Sequence, residues 1–299
     1  MSEARGPIGL IGIGLMGTAI ARRLIGAGLP VIGTDVSAAA RARLAELGGE
    51  PVDSVAAIAA ACKDVVLAVF DTAQVEDVVE GPGGILALAA TQRRTVRVLN
   101  TATCEPDRVA ALAGRTAGHE LALIELPVSG TSDQVARGDG VGLVAGDKAA
   151  ADACAGIIAA ICPRTYFMGG PGNGAKTKLA INHVLGLNRA ALAEGLVFAE
   201  RLGLPLTAFL DAAKGSAAYS QIMDVKGAKM IARDFSPHGK VVQSLKDFKL
   251  ILAEAHARGQ PLPLATVYAE LMTACAAAGD GEADNCIIIE EVRRRRSQS

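Results

Sequence analysis

Ile8-Gly-Leu-Ile-Gly-Ile-Gly-Leu-Met-Gly17 decides the fold, together with the segments next along the chain: Thr18 to Gly26, Pro30-Val-Ile-Gly-Thr34 and Asp35. Ile8 to Ile11 is a short apolar run of strand type, Thr18 to Gly26 has helix composition, and Pro30 to Thr34 is a second strand that ends at an acid. Gly12 permits a tight turn, Gly14 lets a backbone approach a pyrophosphate, and Gly17 allows close packing of helix on strand. The helix N-terminus then faces the phosphate. Asp35 stands about 20 residues on, where a carboxylate accepts from ribose hydroxyls. The competing reading is a glycine-rich turn with no ligand.

Working outward, strands alternate with helices. Val65 to Phe70, Thr95 to Asn100, Ala122 to Leu126, Val141 to Ala145 and Thr165 to Met168 read as strands. Ala73 to Val79, Pro106 to Ala117 and Asp147 to Ala160 read as helices. This order implies a mostly parallel sheet covered on both faces, with ligands beyond the carboxyl ends of its strands.

Gly169-Gly-Pro-Gly-Asn-Gly-Ala-Lys-Thr-Lys178-Leu-Ala-Ile-Asn182 opens the second half. Helix-forming residues continue without proline to about Arg201, rich in Ala and Leu on nearly every side, as in a buried helix. Lys178 and Asn182 are four apart and share a face. Burial lowers a lysine's pKa and suits it to acid–base work; the alternative is a lysine that snorkels to solvent. After Gly174 the strand signal disappears. Leu206 to Lys214, Tyr219 to Ile231, Gly239 to Ala257, Leu264 to Ala278 and Asp284 to Arg295 read as helices punctuated by proline and glycine. The expected architecture is an α/β Rossmann-type domain (residues 1–168), a long interdomain helix, and an all-α domain (residues 169–299).

At 299 residues, two domains are the better expectation. A net charge of −1 gives no general attraction to nucleic acid or anionic membrane, and the absence of Trp weakens any base-stacking reading. No apolar stretch reaches membrane-spanning length without a charge or glycine. The six cysteines show no CxxC spacing, and the four histidines are scattered, so no metal is expected. Met1 to Arg5 carries no signal-peptide pattern, and the expected location is the cytoplasm. The terminal run from Arg293 to Arg296 complements a helix dipole or forms a solvated tail.

Three further segments carry polar chemistry. Asn100-Thr-Ala-Thr103-Cys-Glu-Pro106 ends a strand; Thr103 either contacts a cofactor or caps the next helix. Pro127-Val-Ser129-Gly130-Thr-Ser132 offers a hydroxyl and close N–H groups suited to a carboxylate, or is an ordinary loop. Lys246-Asp247, taken alone, reads as a solvated helix face.

Together these segments resemble the β-hydroxyacid dehydrogenase family, which includes 3-hydroxyisobutyrate dehydrogenase, tartronate semialdehyde reductase and glyoxylate/succinic semialdehyde reductase. The likeness spans essentially the whole chain. Gly12, Ile13, Gly14, Leu15, Met16 and Gly17 match the family's GxGxMG. Glu125 to Gly130 resembles DxPVSGG, Gly172 to Lys178 resembles GxGxxxK, Asn100 to Pro106 resembles DxSTxxP, and Lys246-Asp247 resembles the family's KD pair. Asp284 resembles an acid that follows a late glycine pair. The resemblance implies Lys178 as general acid/base, Ser129, Gly130, Thr131 and Asn182 at the substrate, and the GxGxMG run, Asp35, Thr103 and Lys246 at the cofactor.

Thr131 replaces the second glycine of SGG, Ala102 replaces a serine, Val69-Phe70 stands for Leu-Pro, and Ile181 replaces the first of two asparagines seen in some members. These departures bear on substrate identity. The implied reaction is hydride transfer between a nicotinamide cofactor and a short 3-hydroxyacid or its semialdehyde, with NAD preferred over NADP because Asp35 repels a 2′-phosphate. The expected partners are a small carboxylate substrate and a second copy of the chain, as homodimer or homotetramer. Two alternatives stand beside it. A cofactor-binding scaffold without turnover is disfavoured by the presence of Lys178. An imine reductase is disfavoured by Lys178 and by the lack of a basic residue beside Asp35.

Overall fold

The structure, a computed structural model, describes residues 6–92 and 95–295. Two compact units divide the chain after Lys178.

The first unit is built on nine strands: β1 (Ile8–Ile11), β2 (Val31–Thr34), β3 (Glu50–Pro51), β4 (Asp64–Leu67), β5 (Val96–Asn100), β6 (Leu121–Glu125), β7 (Val128–Ser129), β8 (Val141–Gly146) and β9 (Arg164–Phe167). They lie in the order β3-β2-β1-β4-β5-β6-β8-β7, with β9 beside β8. β1 to β6 run parallel to one another, β8 runs antiparallel to β6 and β7, and β9 is parallel to β8. Chain order reverses at β1, which sits between β2 and β4. Such a switch point opens the crevice in which sheets of this kind bind ligands. β1 and β4 are buried along their whole length, as strands covered on both faces must be.

The helices follow local capping chemistry. Ser37, Ser54, Asp71, Thr131 and Asp147 each accept the amide three residues ahead and start a helix there. The helix expected from Asp147 to Ala160 is two helices, Lys148–Ala153 and Ala155–Ile161. Cys154 leaves helical geometry between them, and its buried thiol reaches Asp64 Oδ1 at 3.6 Å. The first helix begins at Leu15 rather than Thr18, because Gly14 is its N-cap.

Asn173–Arg201 is one helix of 29 residues, about 43 Å long. It is less buried than its composition suggests: Val184 and Phe198 are 58% and 66% exposed. In the second unit it packs with Leu206–Lys214, Val241–Ala257, Pro263–Cys275 and Ile288–Arg294. Gly186 is fixed by packing there, since a Cβ would lie 2.4 Å from the Phe248 ring. Phe248 in turn stacks on the buried Tyr268, ring centroids 4.0 Å apart.

The segment expected as a helix from Tyr219 to Ile231 contains a wide π-helical turn, Met223–Gly227. This turn carries Lys226, whose Nζ donates to both Asp284 oxygens at 2.7 and 2.8 Å, with both side chains buried. Asp284 also accepts N–H groups of His238, Gly239 and Cys286. Arg293, Arg294 and Arg295 pair with glutamates and an aspartate, among them Glu200, Glu290 and Glu291. Arg296 lies outside the described residues.

All six cysteines are buried and none is in a disulfide. Burial pushes the Cys162 and Cys275 thiols up to about 11 and that of Cys286 to about 12. Among the described residues no group of three His, Cys, Asp or Glu side chains is placed to hold a metal, and no helix is long and apolar enough to cross a membrane.

Candidate active site

The three glycines after β1 are required for three different reasons. Gly12 has φ +91°, and a Cβ on it would stand 2.6 Å from the Ala68 carbonyl oxygen, at the end of the neighbouring β4. A Cβ on Gly17 would stand 2.0 Å from the Gly12 oxygen, so it is fixed by close helix packing. A Cβ on Gly14 would meet no protein atom within 4 Å. Nothing in the fold itself demands that glycine, and the space it leaves open is the approach to the N-terminus of Leu15–Gly26. Gly14 caps that helix without a side-chain bond and its first turn carries no acid, so an anion meets no rival there.

Asp35 comes directly after β2, next to Gly12 after β1. Its Oδ2 accepts the Ile13 amide at 2.6 Å and its Oδ1 the Ser37 amide at 2.8 Å, which fixes the carboxylate at the edge of the glycine loop. Val36 beside it is fully exposed. Open glycine, free helix end, fixed acid and bare apolar side chain together fit a dinucleotide.

Thr103 is buried beyond the carboxyl end of β5. It does not cap the next helix: Pro106–Thr116 has Glu105 as its N-cap, with no side-chain cap bond. The turn before Thr103 is held by Asn100, whose Oδ1 accepts the Ala102 amide at 3.0 Å.

Lys178 is 7% exposed and does not snorkel. Its Nζ donates to the carbonyl of Val128 at 2.7 Å, the residue before Ser129. β7 therefore positions both the lysine and the serine. Gly130, next along, has φ +140°, which favours glycine. Thr131 begins Ser132–Arg137 in a capping box: its hydroxyl accepts the Gln134 amide, and Gln134 Oε1 accepts the Thr131 amide. That hydroxyl still has its own proton to offer a ligand. Lys176 is exposed.

A residue without an assigned role in the sequence organises this corner. Glu125 ends β6, and its two oxygens accept the Gly172 and Ala175 amides at 2.5 and 2.7 Å. It thereby caps the helix that carries Lys178. Burial pushes the Glu125 carboxyl above its ordinary range, while the N–H groups of Ala175, Gly172 and Gly174 oppose the rise. The glycines of GxGxxxK are explained by this contact. Gly172 has φ +86°, and a Cβ on Gly174 would lie 2.9 Å from Glu125 Cβ. The signal was available: an acid opens the motif that ends in Ser129 and Gly130.

In the second unit, Asn182 Nδ2 donates to Asp247 Oδ2 at 2.8 Å, and Lys246 Nζ lies 3.1 Å from Asp247 Oδ1. Asp247 is buried, contrary to the solvated face that the pair suggests in isolation. Its Oδ1 accepts no hydrogen bond, so the contact with Lys246 is an ion pair of poor angular geometry. The carboxylate thus holds the nitrogen end of the Asn182 amide.

The carboxyl ends of β1, β2, β5 and β6 lie on one edge of the parallel sheet. The structure therefore gathers the glycine loop, Asp35, Thr103 and the segment leading to Ser129 and Gly130 on that edge.

Residues 7–170 match the family model described as the NAD binding domain of 6-phosphogluconate dehydrogenase. Residues 172–292 match the NAD-binding model of NADP-dependent 3-hydroxyisobutyrate dehydrogenase. The chain is 30% identical to L-threonate dehydrogenase of Escherichia coli K12 over 285 residues, covering 95% of this chain and 93% of that one. It is also 30% identical to the 2-hydroxy-3-oxopropionate reductase of the same organism, covering 95% and 96%. The crystal structure of a 3-hydroxyisobutyrate dehydrogenase from Salmonella typhimurium superposes with a TM-score of 0.86 at 27% identity, covering 95% of this chain and 99% of that one. Two family models that together span nearly the whole chain, relatives matched over almost their full length, and a shared fold place the protein in the β-hydroxyacid dehydrogenase family.

Proposed function

We propose that the protein is a nicotinamide-dependent oxidoreductase that interconverts a short 3-hydroxyacid and its semialdehyde, with Lys178 as general acid/base. The observation that carries this reading is the Lys178 ammonium, buried and tied to the residue before Ser129. Residues 1–168 hold the dinucleotide, and residues 169–299 complete the substrate site and carry the contact between copies. The bound nicotinamide supplies the hydride acceptor or donor. Lys178 gives a proton to the substrate oxygen during reduction and takes one from the hydroxyl during oxidation. The Ser129 hydroxyl and Gly130 amide hold the carboxylate, with Thr131 at the edge of the pocket. Asn182, its amide set by Asp247, fixes the pose. Gly12 to Gly17, Asp35, Thr103 and Lys246 bind the cofactor. Holding the reacting groups in place supplies much of the rate.

NAD is the preferred cofactor, because the fixed carboxylate of Asp35 accepts from ribose hydroxyls and repels a 2′-phosphate. Val184 and Phe198 on the long helix, with Leu264 and Val267, are exposed apolar residues suited to pairing with a second copy. Six buried thiols suit a reducing, cytoplasmic setting.

The deciding experiment is an absorbance screen with both cofactors against 3-hydroxyisobutyrate, glycerate, serine, threonate, 4-hydroxybutyrate, glyoxylate and succinic semialdehyde. One of them should turn over in a manner that depends on Lys178. A protein that binds NAD but turns over none of them is a scaffold, and the proposal fails.

A further inference from the structure

Two edges of the sheet meet solvent in different ways. β3 closes one of them with two residues, Glu50–Pro51, an acid and a proline. Shortness, charge and proline are the usual means of keeping a sheet edge from pairing with another chain. β9 forms another edge, and it is bare. It runs four residues, Arg164-Thr-Tyr-Phe167, all exposed, with Tyr166 at 62% and Phe167 at 45%. Among the described residues no strand lies beyond it. The Met168 amide donates to the Val144 carbonyl, so Tyr166 and Arg164, in alternation with Met168, turn their backbone groups to β8. Thr165 and Phe167 therefore turn theirs outward. The one charge on the strand, Arg164, stands at its start and donates to the Asp139 carbonyl at 2.9 Å. Lys148 Nζ stands 5.7 Å from the centre of the Phe167 ring.

We infer that β9 pairs antiparallel with β9 of a second copy across a two-fold axis at Tyr166, continuing the sheet from one copy into the next. The strand is complementary to itself in this register. Side chains opposite each other in such a pair project from the same side of the sheet, so the axis must pass at a residue. At Tyr166 it sets Thr165 against the partner's Phe167, and each such pair exchanges both outward N–H and carbonyl groups. An axis at Thr165 would set Phe167 against Pro163, which has no N–H. An axis at Phe167 would set Thr165 against Gly169, whose φ of +95° leaves the extended region. The axis at Tyr166 also puts the two Tyr166 rings in the close, non-hydrogen-bonded pair, with each Arg164 in diagonal reach of the other copy's ring. One short strand per copy covers less than the roughly 1,000 Å² that a stable interface needs. The contact therefore acts beside the pairing of helical units proposed above, on which it depends, and joins two such dimers into a tetramer.

The test uses the full-length chain carrying Tyr166→Cys, Thr165→Cys or Phe167→Cys, mildly oxidised and read on non-reducing gels. The native thiols are buried, which keeps the background low. Copies of Tyr166 lie about 4.5 Å apart at Cα, within disulfide reach, whereas copies of Thr165 or of Phe167 meet only on a diagonal beyond it. Tyr166→Cys should therefore cross-link into pairs, and the other two should not. By light scattering the parent should be a tetramer. Thr165→Pro removes an outward N–H, and Tyr166→Lys sets like charges against each other across the axis. Either should halve the molar mass and leave kcat unchanged, since β9 holds no residue of the proposed site. Absence of the Tyr166→Cys cross-link overturns the strand contact, and a dimeric parent then leaves the helical pairing standing. A monomeric parent overturns both. Cross-linking at Thr165 or Phe167 in place of Tyr166 also overturns the contact, as does a tetramer that survives both Thr165→Pro and Tyr166→Lys.

Discussion

Lys178 Nζ and the Val128 carbonyl oxygen lie 2.7 Å apart, so the ammonium is fixed to the residue that precedes Ser129. Lys178→Met keeps length and helix propensity but cannot carry a proton. It should fold and bind NAD, with turnover lowered about 10²–10⁴-fold, the usual share of a general acid/base. Lys178→Arg should recover little, because guanidinium does not cycle its proton near neutrality. A near-normal kcat in Lys178→Met would make Lys178 structural.

Glu125 caps the same helix, and Glu125→Ala orphans the Gly172 and Ala175 amides. The expected loss is at least about 2 kcal/mol in urea unfolding, at roughly 1–3 kcal/mol per buried unsatisfied group. The sign with pH is informative. The Glu125 carboxyl is raised in the fold by burial. Its contribution is therefore complete below the unfolded value of about 4.3 and declines as pH rises through the folded one. The advantage of the parent over the variant should shrink from about pH 4 upward; an advantage that grows would show the amide bonds prevailing over burial.

Asp284 has the opposite sign. Burial works against its charge, but the Lys226 ammonium and the His238 and Cys286 amides hold the carboxyl below its ordinary range. That stability is present above the unfolded value of about 3.9 and is lost as pH falls through the folded one. Asp284→Asn, which leaves Lys226 buried without its partner, should cost about 3–5 kcal/mol. Replacing both at once, Asp284→Leu with Lys226→Met, should cost far less and remove part of the acid sensitivity. Equal losses in the single and double variants would refute the coupling.

The carboxylate pocket can be probed on the substrate. If Ser129 and Gly130 hold the acid group, the methyl ester of the true substrate should turn over poorly. Ser129→Ala should raise KM by about tenfold or more, the loss of a hydrogen bond to a charged group. An ester as good as the acid would assign this loop another part.

Pairing through the helical unit predicts a dimer or tetramer by light scattering at micromolar concentration. Phe198→Asp should shift it towards monomer, as truncating an aromatic anchor commonly costs about 2 kcal/mol or more. A parent that is monomeric under those conditions would end this reading.

The features legible in the sequence were those that depend on neighbours along the chain. The Ala68 contact that also demands Gly12 comes from the neighbouring strand, whereas Gly17 is explained within one strand–turn–helix, by the Gly12 carbonyl, and so was readable as such. The π-helical turn at Met223–Gly227 was not, because Lys226 meets Asp284 only across 58 positions. Nor was the burial of Asp247, which depends on tertiary packing and on Asn182, 65 positions away. Glu125 stood in plain view at the head of a motif, but its partners are amides, and backbone groups leave no mark in a sequence. The break at Cys154 had no glycine or proline to announce it.

The six buried cysteines have a practical side. With a thiol raised to about 11, only about one Cys162 or Cys275 side chain in ten thousand is thiolate at neutral pH, and fewer at Cys286. The protein should withstand air and mild oxidants without a reducing agent. Alkylating reagents should label these positions slowly until the chain unfolds, which makes thiol labelling a direct clock for its opening.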